Sequence, residues 1–116
     1  MSTKLPFTIQ KPWGEFREFT LNDKVTVKLI KVKRGESLSL QEHHKRSEFW
    51  KILKGTPEVT DGEIVTRANI GDEFTVPIGV AHRISAIDDD VEFLEISHGE
   101  FDENDIERLE DKYGRT

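Results

Sequence analysis

The sequence predicts an all-β fold, a sandwich or barrel of short antiparallel strands closed by one short C-terminal helix. Three observations carry that prediction. Runs of β-branched and aromatic residues recur at short intervals along the 116 residues, turn formers interrupt each run, and only the last stretch changes its apolar spacing. The strands read as 13–20, 24–33, 37–43, 47–54, 56–60, 63–67, 72–76, 82–87 and 91–97. Asn22-Asp23, Arg34-Gly35, Gly55, Asp61-Gly62, Gly71-Asp72, Pro77-Ile78-Gly79 and Asp88-Asp89-Asp90 supply the turns between them. From Asp102 onward, DENDIERLEDKY offers Asp102 as an N-cap, acids in the first turn, and Ile106, Leu109 and Tyr113 on one stripe. A helix over 102–113 is therefore expected. There is no repeat of roughly 20–50 residues and no linker, so residues 1–116 read as one domain. At this length a double-sheet jelly roll closes most strand edges.

Composition removes several function classes. Without cysteine there is no disulfide framework, thiolate zinc site or cysteine nucleophile, so any metal must be held by nitrogen and oxygen. The net charge is -6, and residues 100–116 hold seven acids against three bases, which leaves the rest of the chain near neutral. No nucleic-acid partner is expected from that balance, although Lys24, Lys28, Lys31, Lys33 and Arg34 could meet a small anion. No apolar run reaches the roughly 18–20 residues of a membrane span, and MSTKLPFTIQKPWG lacks the apolar block of a secretory signal. A cytoplasmic protein with no membrane partner is the expectation.

One constellation stands out in GESLSLQEHHKRSEFWKILKG. Gln41 and His43 are two apart on a strand, so they share a face with Cα atoms roughly 6.5 Å apart. Glu48 returns opposite that face after a turn at Lys45-Arg46-Ser47, and His82, just beyond the Pro77-x-Gly79 turn, can be aimed inward from a distant strand. Gln41, His43, Glu48 and His82 are thus the candidate ligands of one divalent ion. His44 points away from Gln41 and His43 on the same strand, and His98 is likewise read as exposed. Trp13, Trp50 and Phe49 read as core or rim packing.

These two stretches resemble both signatures of the cupin superfamily. Gly35, Gln41, His43, Glu48 and Gly55 keep the spacing of the first motif, with Gln41 at its first His, and Gly71, Pro77, Gly79 and His82 keep that of the second, with Ala86 at its closing Asn. The chain further resembles, nearly end to end, the C-terminal domain of type II mannose-6-phosphate isomerases, usually fused to a mannose-1-phosphate guanylyltransferase. Lys11-Pro12-Trp13-Gly14, SLSLQEHHKRSEFW, Pro77-Ile78-Gly79 through His82-Arg83, and the tail DENDIERLEDKYGR carry that resemblance. In that family Gln also replaces the first cupin His. Lys45, Phe49, Ala86 and Ser97 depart from its pattern, where the family has His, His, Asn and Gln. The nucleotide-binding half is absent from this sequence, so nucleotide transfer by the chain alone is not expected.

The resemblance implies a cupin double-stranded β-helix and an aldose-ketose isomerase interconverting mannose 6-phosphate and fructose 6-phosphate. Such a reaction needs a Lewis acid on the sugar oxygens, a base near the moving proton and an anchor for the phosphate. Zinc is the first expectation for the ion, with manganese, nickel, iron and cobalt as alternatives. Arg46, Lys28 and Arg115 are the phosphate candidates, since a dianion favours forked guanidinium donors backed by an ammonium. Arg46, Lys28 and Glu95 are the catalytic candidates, with Glu95 or Glu48 as general base. The alternatives are a non-catalytic sugar-binding cupin, an accessory domain for a separately encoded sugar nucleotidyltransferase, or another metal-cupin reaction such as an iron oxygenase. An N-terminal strand ending in Lys11-Pro12-Trp13-Gly14 is expected to cross to a second copy and give a homodimer, which light scattering at micromolar concentration tests.

Overall fold

The computed structural model describes residues 6–102 and 104–115. These form eleven strands: β1 (Phe7–Lys11), β2 (Gly14–Glu18), β3 (Val25–Val32), β4 (Leu40–Glu42), β5 (Arg46–Lys54), β6 (Glu58–Asp61), β7 (Ile64–Arg67), β8 (Glu73–Val76), β9 (His82–Ser85), β10 (Val91–Gly99) and β11 (Glu107–Glu110). The strands pair antiparallel throughout. Two sheets, ordered β3-β10-β5-β8 and β11-β4-β9-β6-β7, make the jelly roll, and β1 and β2 form a separate ribbon. Among the described residues no helix is long and apolar enough to cross a membrane.

Alternation along the strands decides what faces inward. On β5, Arg46, Glu48, Trp50 and Ile52 share a face, and their partners on β10 are Gly99, Ser97, Glu95 and Phe93. Trp50, Ile52 and Phe93 meet Val59, Val76, Ile84 and Val91 in one apolar cluster, closing the lower half of the barrel. The same inward rows turn polar towards the other end, where His43, Arg46, Glu48, His82, Glu95 and Ser97 are all buried. Core and site are successive layers of one interior.

The expected C-terminal helix is not formed. Residues 107–110 instead make β11, which pairs with β4 through Glu107↔Glu42, Arg108↔Gln41 and Glu110↔Leu40, while residue 103 lies outside the described residues. The physical reason is that a lone helix this short is marginal in water, whereas a strand here covers the edge that β4 would otherwise leave open. Leu109 and Tyr113, two of the three residues of the expected stripe, are 44% and 51% exposed. Asp102 does cap, but it caps a turn: its carboxylate accepts from the Asn104 N–H at 2.9 Å and its carbonyl from the Asp105 N–H at 2.9 Å.

The N-terminal ribbon also extends the expected strand set. Lys11 pairs with Gly14, and the chain turns at Pro12-Trp13 between them. Trp13 stands at that tip, 73% exposed, while Trp50 and Phe49 are buried. Gly99 ends β10 at φ +114, a backbone region that favours glycine, and a Cβ there would sit 2.6 Å from the Lys45 carbonyl oxygen. That close approach seats the start of β5, and hence Arg46 and Glu48, against β10.

Candidate metal centre

Four elements bring the site together. Gln41 lies on β4, His43 just past its end, Glu48 on β5 and His82 at the first position of β9, directly opposite Gln41. His43 Nε2 is 3.3 Å from Glu48 Oε2 and His82 Nε2 is 3.6 Å from Glu48 Oε1. The three ligand atoms lie within 4.8 Å of one another, all on buried residues. Gln41 Nε2 is 3.5 Å from His43 Nε2, and Gln41 Oε1 accepts from the Ser39 hydroxyl at 2.6 Å. Because a hydroxyl both donates and accepts, Ser39 can hold either orientation of that amide, including the one that turns Oε1 towards the cluster.

The backbone fixes which nitrogen of each imidazole faces the cluster. His43 Nδ1–H donates to the Asp105 carbonyl at 2.6 Å, and His82 Nδ1–H donates to the Val80 carbonyl at 2.9 Å. Each bond leaves an Nε2 lone pair turned towards Glu48, the tautomer a metal ligand requires. His82 Nε2 is buried with no hydrogen-bond partner. Burial lowers the His82 pKa, keeping the ring neutral. A buried acceptor left unmatched is costly, and a cation held by His43, Glu48, His82 and Gln41 would satisfy it. The residues therefore fit a divalent ion bound by nitrogen and oxygen.

Glu48 is further held by Trp50, whose Nε1–H donates to Oε1 at 3.0 Å, and by Arg46, whose Nε–H donates to Oε2 at 3.3 Å. Arg46 also reaches His43 Nε2 at 3.3 Å and the Asp102 carbonyl at 3.3 Å. The Asp105 carboxylate accepts the backbone N–H groups of His44 and Lys45, each at 2.9 Å, fixing the turn between β4 and β5. Burial pushes the Asp105 carboxyl up, but these two bonds together with the nearby His43 and Arg46 more than offset it, so its pKa is lowered.

Glu95 and Lys28 stand opposite one another on β10 and β3, and Glu95 is opposite Trp50 on β5. Burial, followed by repulsion from Glu48, raises the Glu95 pKa to about 7, and the Ser97 hydroxyl donates to it at 3.2 Å. The Lys28 ammonium and the Arg46 guanidinium lie over the Phe101 ring at 4.3 and 4.4 Å. Arg115 does not join this group: it is clasped to Asp111, with Nε 2.8 Å from Oδ2, on the exposed tail. Two inward residues escaped the sequence reading. Asp61 is opposite His82 on β6, and Arg108 is opposite Gln41 on β11. Strand alternation would have found Asp61 from Val59; reading the tail as a helix hid Arg108.

Comparison with known proteins places the chain. Residues 2–111 match the family described as mannose-6-phosphate isomerase C-terminal. The chain is 40% identical over 110 residues to the xanthan biosynthesis protein XanB of Xanthomonas campestris pv. campestris, covering 93% of this chain and 24% of that protein. It is 34% identical over 111 residues to a mannose-1-phosphate guanylyltransferase of Escherichia coli, covering 93% and 23%. The chain thus spans about a quarter of the length of these relatives. Among solved structures, the capsular polysaccharide assembling protein CapF of Staphylococcus aureus superposes with a TM-score of 0.67 at 21% identity, over 92% of this chain and 35% of that one. A double-stranded β-helix protein of Klebsiella pneumoniae does so with a TM-score of 0.65 at 18% identity, over 96% and 90%. Both superpositions bear out the cupin double-stranded β-helix.

Proposed function

Because this chain belongs to the mannose-6-phosphate isomerase C-terminal family, we propose that it is a metal-dependent aldose-ketose isomerase acting on mannose 6-phosphate and fructose 6-phosphate. The observation that carries the reading is the buried, unpartnered His82 Nε2 facing His43 and Glu48, with Glu95 buried in the same interior. Gln41, His43, Glu48 and His82 would hold the ion, zinc in the first instance, and when bound it would supply Lewis-acid polarisation of the sugar's carbonyl and hydroxyl oxygens. The remaining work falls to the chain's own side chains. Glu95, with a pKa of about 7, is suited to take a proton from C2 of the opened sugar and return it to C1. Glu48, committed to the imidazoles, Trp50 and Arg46, is the poorer base. Arg46 and Lys28, flanking Phe101, supply positive charge for the phosphate.

The departures from the family pattern bear on a second reading, a sugar-binding cupin without turnover that serves a separate nucleotidyltransferase. Lys45 is exposed and paired with Glu100, and Phe49 packs against Phe19 on the outer side of its sheet, so neither touches the cluster. Ser97 does: it is buried opposite Glu48 and bonded to Glu95. This observation alone favours the second reading. Metal analysis of purified protein with a coupled mannose 6-phosphate to fructose 6-phosphate assay separates the two. One ion per chain with metal-dependent turnover is expected; one ion without turnover would remove the isomerase claim for this chain.

A further inference from the structure

Arg108, Gln41, His82 and Asp61 stand abreast on β11, β4, β9 and β6, each opposite the next. Residues opposite one another share a face, so Arg108 belongs to the inward row that contains two candidate ligands. Adjacent strands are about 4.8 Å apart, which sets Arg108 one strand from Gln41 and roughly 10 Å from His82 at the backbone. The register of β11 shifts between Arg108 and Glu110, a bulge of the kind that re-aims a side chain beside a site.

The arginine's bonding is the second, independent observation. Its Nε is buried and has no hydrogen-bond partner, and among the described residues no ion pair engages its guanidinium. The neighbouring cations differ in this respect: Arg46 is held by Glu48 and Asp102, Arg83 by Glu110, Arg115 by Asp111 and Lys45 by Glu100. A buried N–H donor left without a partner carries a desolvation cost, and among the described residues none offsets it at the Arg108 Nε. A guanidinium offers a planar fork matched to phosphate and carboxylate oxygens. An open-chain sugar phosphate bound by its first two oxygens at the metal would carry its phosphate several bonds away, towards a flank such as this.

We propose that Arg108 binds the phosphate of the sugar substrate at the β11 side of the site, a role that rests on the sugar-phosphate reading above. It is a recognition residue that leaves the ion and the proton transfer to other groups.

Calorimetric titration of the zinc-loaded full chain with mannose 6-phosphate, and of the metal-free chain with zinc, tests this in wild type, Arg108→Met and Arg108→Lys. Met keeps most of the aliphatic stem, so packing of β11 is retained, and Lys keeps the charge without the fork. Expected is a loss of about 10- to 100-fold in mannose 6-phosphate affinity for Met, a smaller loss for Lys, and unchanged zinc affinity in both. Unchanged sugar-phosphate affinity in Arg108→Met would overturn the proposal, as would zinc and sugar-phosphate affinities falling together. If wild type binds mannose 6-phosphate through Arg108 without turning it over, the isomerase reading fails and this assignment stands. If no sugar phosphate binds wild type, both fall.

Discussion

Replacing Glu95 by Gln should reverse a pH-dependent loss of stability in the metal-free protein. Glu95 is buried on β10, facing Lys28 from β3 and Glu48 and Arg46 from β5, with Ser97 donating to it along its own strand. Burial and the Glu48 charge raise its pKa from the ordinary 4.5 to about 7. The native state therefore holds this proton more tightly than the unfolded chain, and stability must fall as pH rises from about 4.5 to 7, then level off. At 1.36 kcal/mol per tenfold change in affinity, the loss at pH 8 is at most about 3 kcal/mol. Glutamine keeps the oxygen that accepts from Ser97 and cannot ionise. The variant should match wild type near pH 4.5 and exceed it by about 2–3 kcal/mol at pH 8, or about 2 M in urea midpoint.

His82 titrates in an overlapping window with the opposite sign. Its pKa is lowered by burial, so the unfolded chain binds its proton more tightly and stability rises with pH through about 6.5. The wild-type curve alone is consequently ambiguous, and the difference between wild type and Glu95→Gln is the quantity to read. Urea denaturation in EDTA at pH 4.5, 6 and 8 measures it. A difference that stays constant across that range would refute the argument that Glu95 is held protonated by its surroundings.

Two further outcomes follow from the geometry. Adding zinc at about 1,000 times its dissociation constant should stabilise the metal-free protein by about 4 kcal/mol, a rise on the order of 15 °C in Tm by thermal denaturation. His82→Ala should abolish that rise, and an unchanged rise in the variant would remove His82 from the ligand set. Gly99→Ala should cost about 2–4 kcal/mol, because φ +114 is strained for alanine and the new methyl meets the Lys45 carbonyl oxygen. A urea midpoint equal to that of wild type would show that β10 and β5 can part there freely.

The legible parts of this chain are those written in local spacing. Gln41 and His43 two apart, Glu48 after a tight turn, and His82 behind Pro77-x-Gly79 each follow from rules acting over a few residues, and the structure brings these four together. The tail was less legible because its fate depends on a distant edge. Ile106, Leu109 and Tyr113 fit a helical stripe, but the local pattern carries no record of the open side of β4 that β11 covers. The pairing of Arg115 is equally a matter of the tail's path, which leaves its guanidinium clasped by Asp111, four residues away. The inward orientation of Arg108 is likewise a property of the β4 pairing and cannot be read from the tail alone.

That dependence makes the tail one wall of the site. The Asp105 carbonyl fixes the His43 tautomer, the Asp105 carboxylate fixes the turn that carries His44 and Lys45, and the Asp102 carbonyl holds Arg46. Phe101 lies between the Lys28 and Arg46 cations, and β11 sets Arg108 beside Gln41. Strands β4, β5 and β9 bring the ligand side chains close, but close imidazoles without fixed tautomers do not make a strong metal site. Docking of Phe101, Asp102, Asp105 and β11 both supplies that fixation and sets Arg108 beside the candidate ligands. The proposed metal binding and sugar-phosphate recognition would thereby be tied to one edge pairing, while the apolar cluster around Trp50 and Phe93 is built by the other strands.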